Sequence, residues 1–179
     1  MRMFAVKYTM DNKDVLKFCP RCSGPAVLAD SRKIVCAGCG FQFYLNDAAA
    51  VAALLFDGEG RLMAVRRNED PQAGLLDLPG GFVEFGETAE EALSRELREE
   101  LGVTVCDIEY YRSIPNKYLY GGVLYHTLDI FLKCRLDGGA DNKIHPNNEI
   151  KDIVYKFPKD IKEEEIAFDS MKKLIKSFK

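Results

Sequence analysis

The chain has 179 residues and a mass of 20.2 kDa, with 47% hydrophobic residues, 30% charged residues and a formal net charge of −3. That length holds one ordinary domain, or a compact domain with a small appendage, and the composition is too apolar for a disordered chain. No apolar run approaches the ~20 residues of a membrane span, the first eighteen residues lack a signal-peptide apolar region, and the mild acidity argues against a dominant nucleic-acid function. These features point to a cytoplasmic protein, in which six cysteines would not serve disulfides.

Residues 1–46 hold seven Lys or Arg against three Asp, a net of +4, leaving 18 against 25, a net of −7, for residues 47–179. Four of the six cysteines fall in the first part, and the composition shifts abruptly where AAAVAALLF begins at Ala48. A small domain over 1–46 and a main domain over 47–179 follow. Ala48–Phe56 reads as a buried strand, Asp57–Gly60 as a hairpin turn and Arg61–Arg66 as the returning strand. Leu75–Leu78 reads as a short strand before Pro79-Gly80-Gly81, and Thr88–Leu101 as a helix. Val103–Ile114 and Tyr125–Arg135 are rich in strand formers. Leu136–Asn148, with Gly138-Gly139 and Pro146, reads as loop, and Ile150–Phe157 as a further strand. From Lys162 onward Ile166, Met171, Leu174, Ile175 and Phe178 recur at helical spacing, with glutamates first and lysines last as the helix dipole prefers. The order predicts a mixed sheet with packed helices.

Cys19-Pro20-Arg21-Cys22 and Cys36-Ala37-Gly38-Cys39 are two CxxC pairs separated by thirteen residues. Two such pairs complete a tetrahedral S₄ shell, which suits zinc. A redox CxxC or unrelated buried thiols are the alternatives, and the doubled motif at this spacing favours the metal. With all four positions filled by protein, the zinc would be structural, supplying folding energy that so short a segment lacks. Gly24 and Gly40 follow the pairs, where tight turns would aim backbone amides at the sulfurs. Cys106 and Cys134 stand in strand-like sequence and read as core thiols.

Thr88 and Glu91 form a capping box, and Gly102 is placed as a left-handed cap. At ~100° per residue, Ala89, Leu93, Leu97 and Leu101 share one apolar stripe, with Glu96 and Glu100 at its margin. Glu96, Glu99 and Glu100 are spaced i, i+3, i+4 and so can converge. Clustered carboxylates beside a core need positive charge; Arg95 can meet one, and hard divalent cations would meet the rest. A solvated, salt-bridged helix is the plain alternative. Gly80-Gly81, which allows close approach and can present a backbone carbonyl, tips the balance toward a metal platform.

Residues 81–103 carry Gly81, Glu87, Arg95, Glu96, Leu97, Glu99, Glu100, Gly102 and Val103, and so resemble the Nudix box GX5EX7REUXEEXGU at every specified position. Leu78-Pro79-Gly80 is similar to the usual lead-in. The resemblance implies an α/β fold, an α/β/α sandwich with a mixed sheet, here preceded by a small zinc ribbon. It implies a hydrolase that cleaves the phosphoanhydride bond of a nucleoside diphosphate linked to another moiety, using Mg²⁺ or Mn²⁺. Glu96, Glu99 and Glu100 would be metal ligands, one of them acting instead as base for water. The Gly81 carbonyl would add a ligand, Arg95 would orient a glutamate, and Glu87 would support the set. Glu149, just before the late strand, is a candidate carboxylate from outside the box, as against a surface loop residue.

A ribbon directly before such a domain resembles the NADH pyrophosphatase group. In that group's SQPWPFPxS array the Ser and Pro correspond to Ser113 and Pro115, while Gln and Trp have no counterpart and the chain has no tryptophan. NADH, ADP-ribose, nucleotide sugars and dinucleoside polyphosphates therefore remain open. Tyr118 and Tyr120 are candidates for stacking on a base, as against plain sheet residues. His126 reads as a packed strand residue. The expected partner is a small nucleotide, with no membrane, no nucleic acid and, from the ribbon group, a homodimer. The alternatives are a Nudix-fold nucleotide sensor or regulator whose ribbon binds a partner or nucleic acid, and a hydrolase of RNA caps. The complete box favours catalysis.

Overall fold

The computed structural model describes residues 10–11, 17–28, 30, 32–138 and 143–178. The chain divides into two compact units, residues 1–48 with 117–126, and residues 49–116 with 127–179.

In the first unit, β1 (Met10–Asp11) pairs in parallel with Val123 and Leu124, and β2 (Ala26–Leu28), β3 (Lys33–Cys36) and β4 (Gln42–Tyr44) form an antiparallel sheet in that order. The unit also takes in the tip of the longest hairpin, between β9 (Val105–Tyr120) and β10 (Val123–Leu136). Its turn is Gly121-Gly122, with φ of 57° and 82°, the positive values that two-residue hairpin turns demand. These strands run well past the stretches Val103–Ile114 and Tyr125–Arg135, because one glycine pair closes the hairpin instead of a long loop.

In the second unit, β5 (Ala48–Leu55) lies between β10 and β8 (Gly80–Phe82), and β11 (Ile150–Lys156), β6 (Leu62–Arg67) and β7 (Leu76–Asp77) form a second, antiparallel sheet. The expected hairpin from Ala48 to Arg66 is thus mostly absent. Asp57 closes the turn by accepting from the Glu59 and Arg61 amides (3.0 and 2.9 Å), yet only Phe56 and Leu62 bridge. Beyond that bridge each strand finds other partners. Gly80–Phe82 is a further strand, paired with β5 through Ala52–Gly80, Val51–Gly81 and Ala50–Phe82.

Strand periodicity distributes the core to two faces. Val51, Ala53 and Leu55 of β5, with Met63 and Val65 of β6, pack against α1 (Ala89–Leu101) through Leu93, Leu97 and Leu101. Leu54, Leu62 and Ala64 lie in the other cluster, with Met171, Leu174 and Ile175 of α2 (Asp169–Lys176). The result is the α/β/α sandwich expected from the sequence. Cys134 is buried in the first cluster, whereas Cys106 is half-buried.

The last helix begins later than expected. Pro158–Asp160 and Glu163–Glu165 are single 3₁₀ turns, and Ile166 bridges to Leu76 in parallel, so the apolar spacing continues through a non-helical stretch. Asp129 of β10 anchors the start of α2, accepting from Ser170 Oγ (2.5 Å) as well as Thr127 Oγ1 (2.7 Å) and Asn116 Nδ2 (2.9 Å). Among the described residues no helix is long and apolar enough to cross a membrane.

Candidate functional site

The helix that carries the carboxylates is fixed at both ends. Thr88 caps the Glu91 amide (3.2 Å) while the Glu91 carboxylate accepts from the Thr88 amide (2.8 Å). Gly102, at φ 69°, donates to Arg98 and Leu97 carbonyls in the left-handed cap. Ala92 joins Leu93, Leu97 and Leu101 as fully buried, and Ala89 is only partly so.

Strand β8 supplies the floor. Gly80 has φ 146°, and a Cβ there would run into the main chain of Val51 and Ala52. A Cβ on Gly81 would overlap the Glu96 carboxylate, so glycine at this position is what lets Glu96 lie on the strand. The Gly80 amide donates to Glu100 Oε2 at 2.9 Å. Glu96 and Glu100 therefore rest against adjacent glycines.

Arg95 organises the remainder. Its Nε and Nη2 donate to the two Glu87 carboxylate oxygens (2.7 and 3.0 Å), and Nη1 donates to Glu96 (2.9 Å) and Glu99 (3.2 Å). Nη2 also reaches the Phe82 carbonyl at 3.0 Å. This is a bidentate pair with two further carboxylates on one guanidinium. The bond to Glu87, followed by Glu96, holds Arg95 firmly in its charged form, and Arg95 in turn keeps Glu87 below the usual carboxylate range. Burial pushes Glu96 up, opposed by Arg95. Burial pushes Glu100 up to about 8 against the pull of the Gly80 amide, with the charges of Glu96, Asp77 and Glu149 adding to the rise.

The three helix glutamates were expected to converge on one point. Glu96 and Glu99 meet at Arg95, while Glu100 turns to Gly80, because the guanidinium and the amide are the positive partners at hand. Glu99 is the outermost, with 60% of its side chain exposed. Glu149 is exposed in the loop before β11, and its charge is felt at both Glu96 and Glu100. An all-oxygen set of this charge suits hard divalent ions.

Asp77 is the residue that the sequence reading missed. Its carboxylate pairs with Arg67 Nη1 (3.1 Å) and accepts from the Leu78 amide (2.9 Å), at the start of the turn that delivers Gly80. Burial is the main reason its carboxyl is raised. A lone acid in the apolar run Leu75–Leu78 was the available signal. Tyr118 and Tyr120 belong to the first unit and stack on each other, centroids 6.2 Å apart and rings 21° from parallel.

The cysteines form the tighter cluster. The Sγ atoms of Cys19, Cys22, Cys36 and Cys39 all lie within 4.8 Å of one another, with Cys22–Cys36 at 3.5 Å and Cys19–Cys39 at 3.7 Å. A tetrahedral shell at ~2.3 Å from each sulfur spaces the sulfurs about 3.8 Å apart, so the set can hold zinc. The two halves repeat one local design. Cys19 N–H donates to Gly24 O and Ser23 N–H to Cys19 O; Cys36 N–H donates to Phe41 O and Gly40 N–H to Cys36 O. The left-handed positions are Ser23 (φ 59°) and Gly40 (φ 71°), so Ser23 takes the place expected for Gly24. Gly24 lies against the sulfurs instead, where an added Cβ would be 3.4 Å from Cys22 Sγ. The Cys39 amide is the main cause lowering Cys36 to about 7. Among the described residues no other three His, Cys, Asp or Glu side chains gather as closely.

A NUDIX domain model matches residues 46–178. An ADP-ribose pyrophosphatase of Methanocaldococcus jannaschii is 41% identical over 63 residues, 35% of this chain and 37% of that protein. An NAD-capped RNA hydrolase NudC of Haemophilus influenzae (strain PittGG) is 33% identical over 101 residues, 55% of this chain and 38% of that protein. The aligned segments thus span well under half the length of these curated relatives. A NUDIX hydrolase from Nitrosomonas europaea shares the fold with a TM-score of 0.65 at 24% identity, over 90% of this chain and 92% of its own. The domain match takes in most of the sequence, including the whole capped helix and its glycine floor, and the chain belongs to the Nudix family.

Proposed function

We propose that residues 47–179 form a divalent-metal-dependent hydrolase domain that cleaves the phosphoanhydride bond of a nucleoside diphosphate linked to another moiety, with NADH and ADP-ribose foremost. Residues 1–46 would form a structural zinc ribbon. The observation that carries the reading is the lodging of Glu96 and Glu100 against Gly81 and Gly80, with Arg95 tying Glu96 to the Glu87 loop.

Glu96, Glu99 and Glu100, with the Gly81 carbonyl and Glu149, would hold Mg²⁺ or Mn²⁺. Such an ion links an acidic site to a polyphosphate, offsets charge in the transition state and lowers the pKa of an attacking water. Arg95 keeps the Glu96 carboxylate against β8, and one box glutamate takes the proton of the water. Tyr118 and Tyr120 are offered as base-stacking residues. No covalent nucleophile is required. Cytoplasmic residence suits six cysteines without a disulfide. Self-association into a homodimer is the expected assembly, and exposed Tyr110 on the long strand β9 offers area for it.

The test is a panel of NADH, ADP-ribose, a nucleotide sugar, a dinucleoside polyphosphate and an RNA with a 5′ NAD, assayed with Mg²⁺ and with Mn²⁺ and with both products identified. Cleavage between phosphates of at least one compound is expected. Cleavage of none overturns the enzymatic reading and favours a nucleotide sensor.

A further inference from the structure

The stretch 143–149 has no helix or strand, yet its backbone is fastened at several points. Helix ends leave carbonyls without partners in the helix. Two of those in α1 are filled from this loop, Leu101 O by the His145 amide (2.7 Å) and Glu100 O by the Asn147 amide (2.8 Å). Asn147 then uses its side chain in the opposite direction, its Oδ1 accepting from the Glu149 amide at 2.9 Å in an Asx turn. Asn68, just past β6, closes the far side: its amide donates to Glu149 O and its Nδ2 to Asn148 O, both at 2.8 Å.

One residue is therefore bonded through its main chain to Glu100 and through its side chain to Glu149. The two glutamates lie 49 positions apart in sequence, and the charge of Glu149 adds to the rise of the Glu100 carboxyl. We propose that Asn147 is a positioning residue that sets the spacing between the helix carboxylate Glu100 and the loop carboxylate Glu149, so that both approach one divalent ion from fixed backbones. This rests on the reading of Glu100 and Glu149 as metal ligands. Removing the Asn147 side chain leaves its amide on Glu100, so the helix end stays capped. What is lost is the hold on Glu149. A loop residue of purely structural use would lower stability and leave the metal affinity of the folded protein unchanged.

The experiment titrates the full-length, zinc-loaded chain with Mn²⁺, reading free Mn²⁺ by electron paramagnetic resonance, with a thermal midpoint for every variant. Asn147→Ala is expected to weaken Mn²⁺ binding about 10-fold, the usual scale for a residue that supports a ligand. Asn147→Ser, which keeps an acceptor for the Glu149 amide, should recover most of that loss. Glu149→Gln should weaken binding at least as much, and the double variant Asn147→Ala/Glu149→Gln should be no weaker than Glu149→Gln alone. Native Mn²⁺ affinity in Asn147→Ala, or losses that add in the double variant, would overturn the proposal while leaving Glu149 as a ligand. Native affinity in Glu149→Gln would instead overturn the ligand reading on which it rests. Should Asn147→Ala fail to fold, Asn147→Ser against Glu149→Gln decides, because loss in the serine variant equal to that in the glutamine variant contradicts the clamp.

Discussion

The cysteine cluster takes its geometry from two short turns that repeat the same pair of backbone hydrogen bonds, each within six residues of chain. The glutamate cluster takes its geometry from a helix, an antiparallel strand, a turn governed by Asp77 and a loop that returns beside β11. The first places four soft donors within reach of one ion. The second holds hard donors apart on Arg95 and a glycine amide, with one carboxyl raised by burial and further by its acidic neighbours. Local geometry suits a permanent structural ion, and distributed geometry suits one that comes and goes with substrate.

That contrast can be broken most forcefully at Glu100. Glu100→Gln should lower turnover about 10²–10⁴-fold with helix content and zinc unchanged, measured by initial rates beside circular dichroism. Near-normal activity would remove Glu100 from the machinery. Cys36→Ser should take zinc from about one per chain to nearly none and open the segment 17–44 to proteolysis, since metal binding would supply its folding energy. Zinc retained in that variant would contradict a four-sulfur site. Gly81→Ala should displace Glu96 and cost about 10²-fold in turnover, with a smaller loss of thermal midpoint.

The last expected effect is in stability. The Glu100 carboxyl is raised on folding, so in protein free of Mg²⁺ and Mn²⁺ its contribution is fully present below about 4.5 and is lost as pH rises through about 8. Glu100→Gln should therefore gain on the native protein as pH rises, by on the order of a few kcal/mol between pH 5 and pH 9. Thermal midpoints across that range test it. A constant difference would mean that the burial cost is not felt.

Local signals were the legible ones. Thr88 with Glu91, Gly102, and the paired CxxC motifs each act over a few residues, and each is found where it was read. The face of α1 was readable because helix periodicity is fixed by the backbone. The partners of β6 were not readable, since Leu62–Arg67 is apolar enough to pair on either side and only distant β11 and β7 decide. The glycines of Gly80–Phe82 carry no strand preference, and the pairing of this stretch is imposed by β5. Arg95 was expected to meet one carboxylate and meets three, a reach that depends on where the Glu87 loop folds back. Asp77 and Asn147 belong to no motif, for the partners that give them their place, Arg67 and the Glu100 carbonyl, are distant in sequence.

The double fastening of α1 bears on hydrogen exchange. A helix free at one end frays, and its terminal amides exchange with solvent through small local openings. Here the first turn is closed by its own capping box, and the last by Gly102 together with amides from His145 and Asn147. Opening the last turn means releasing the 143–149 loop as well, so amides near Glu99 and Glu100 should exchange as slowly as those at the helix centre. The end of α1 that carries Glu99 and Glu100 would then behave as part of the slow-exchanging core, and the loop around Phe85, which is fully exposed, is left as the place for fast local motion near the site.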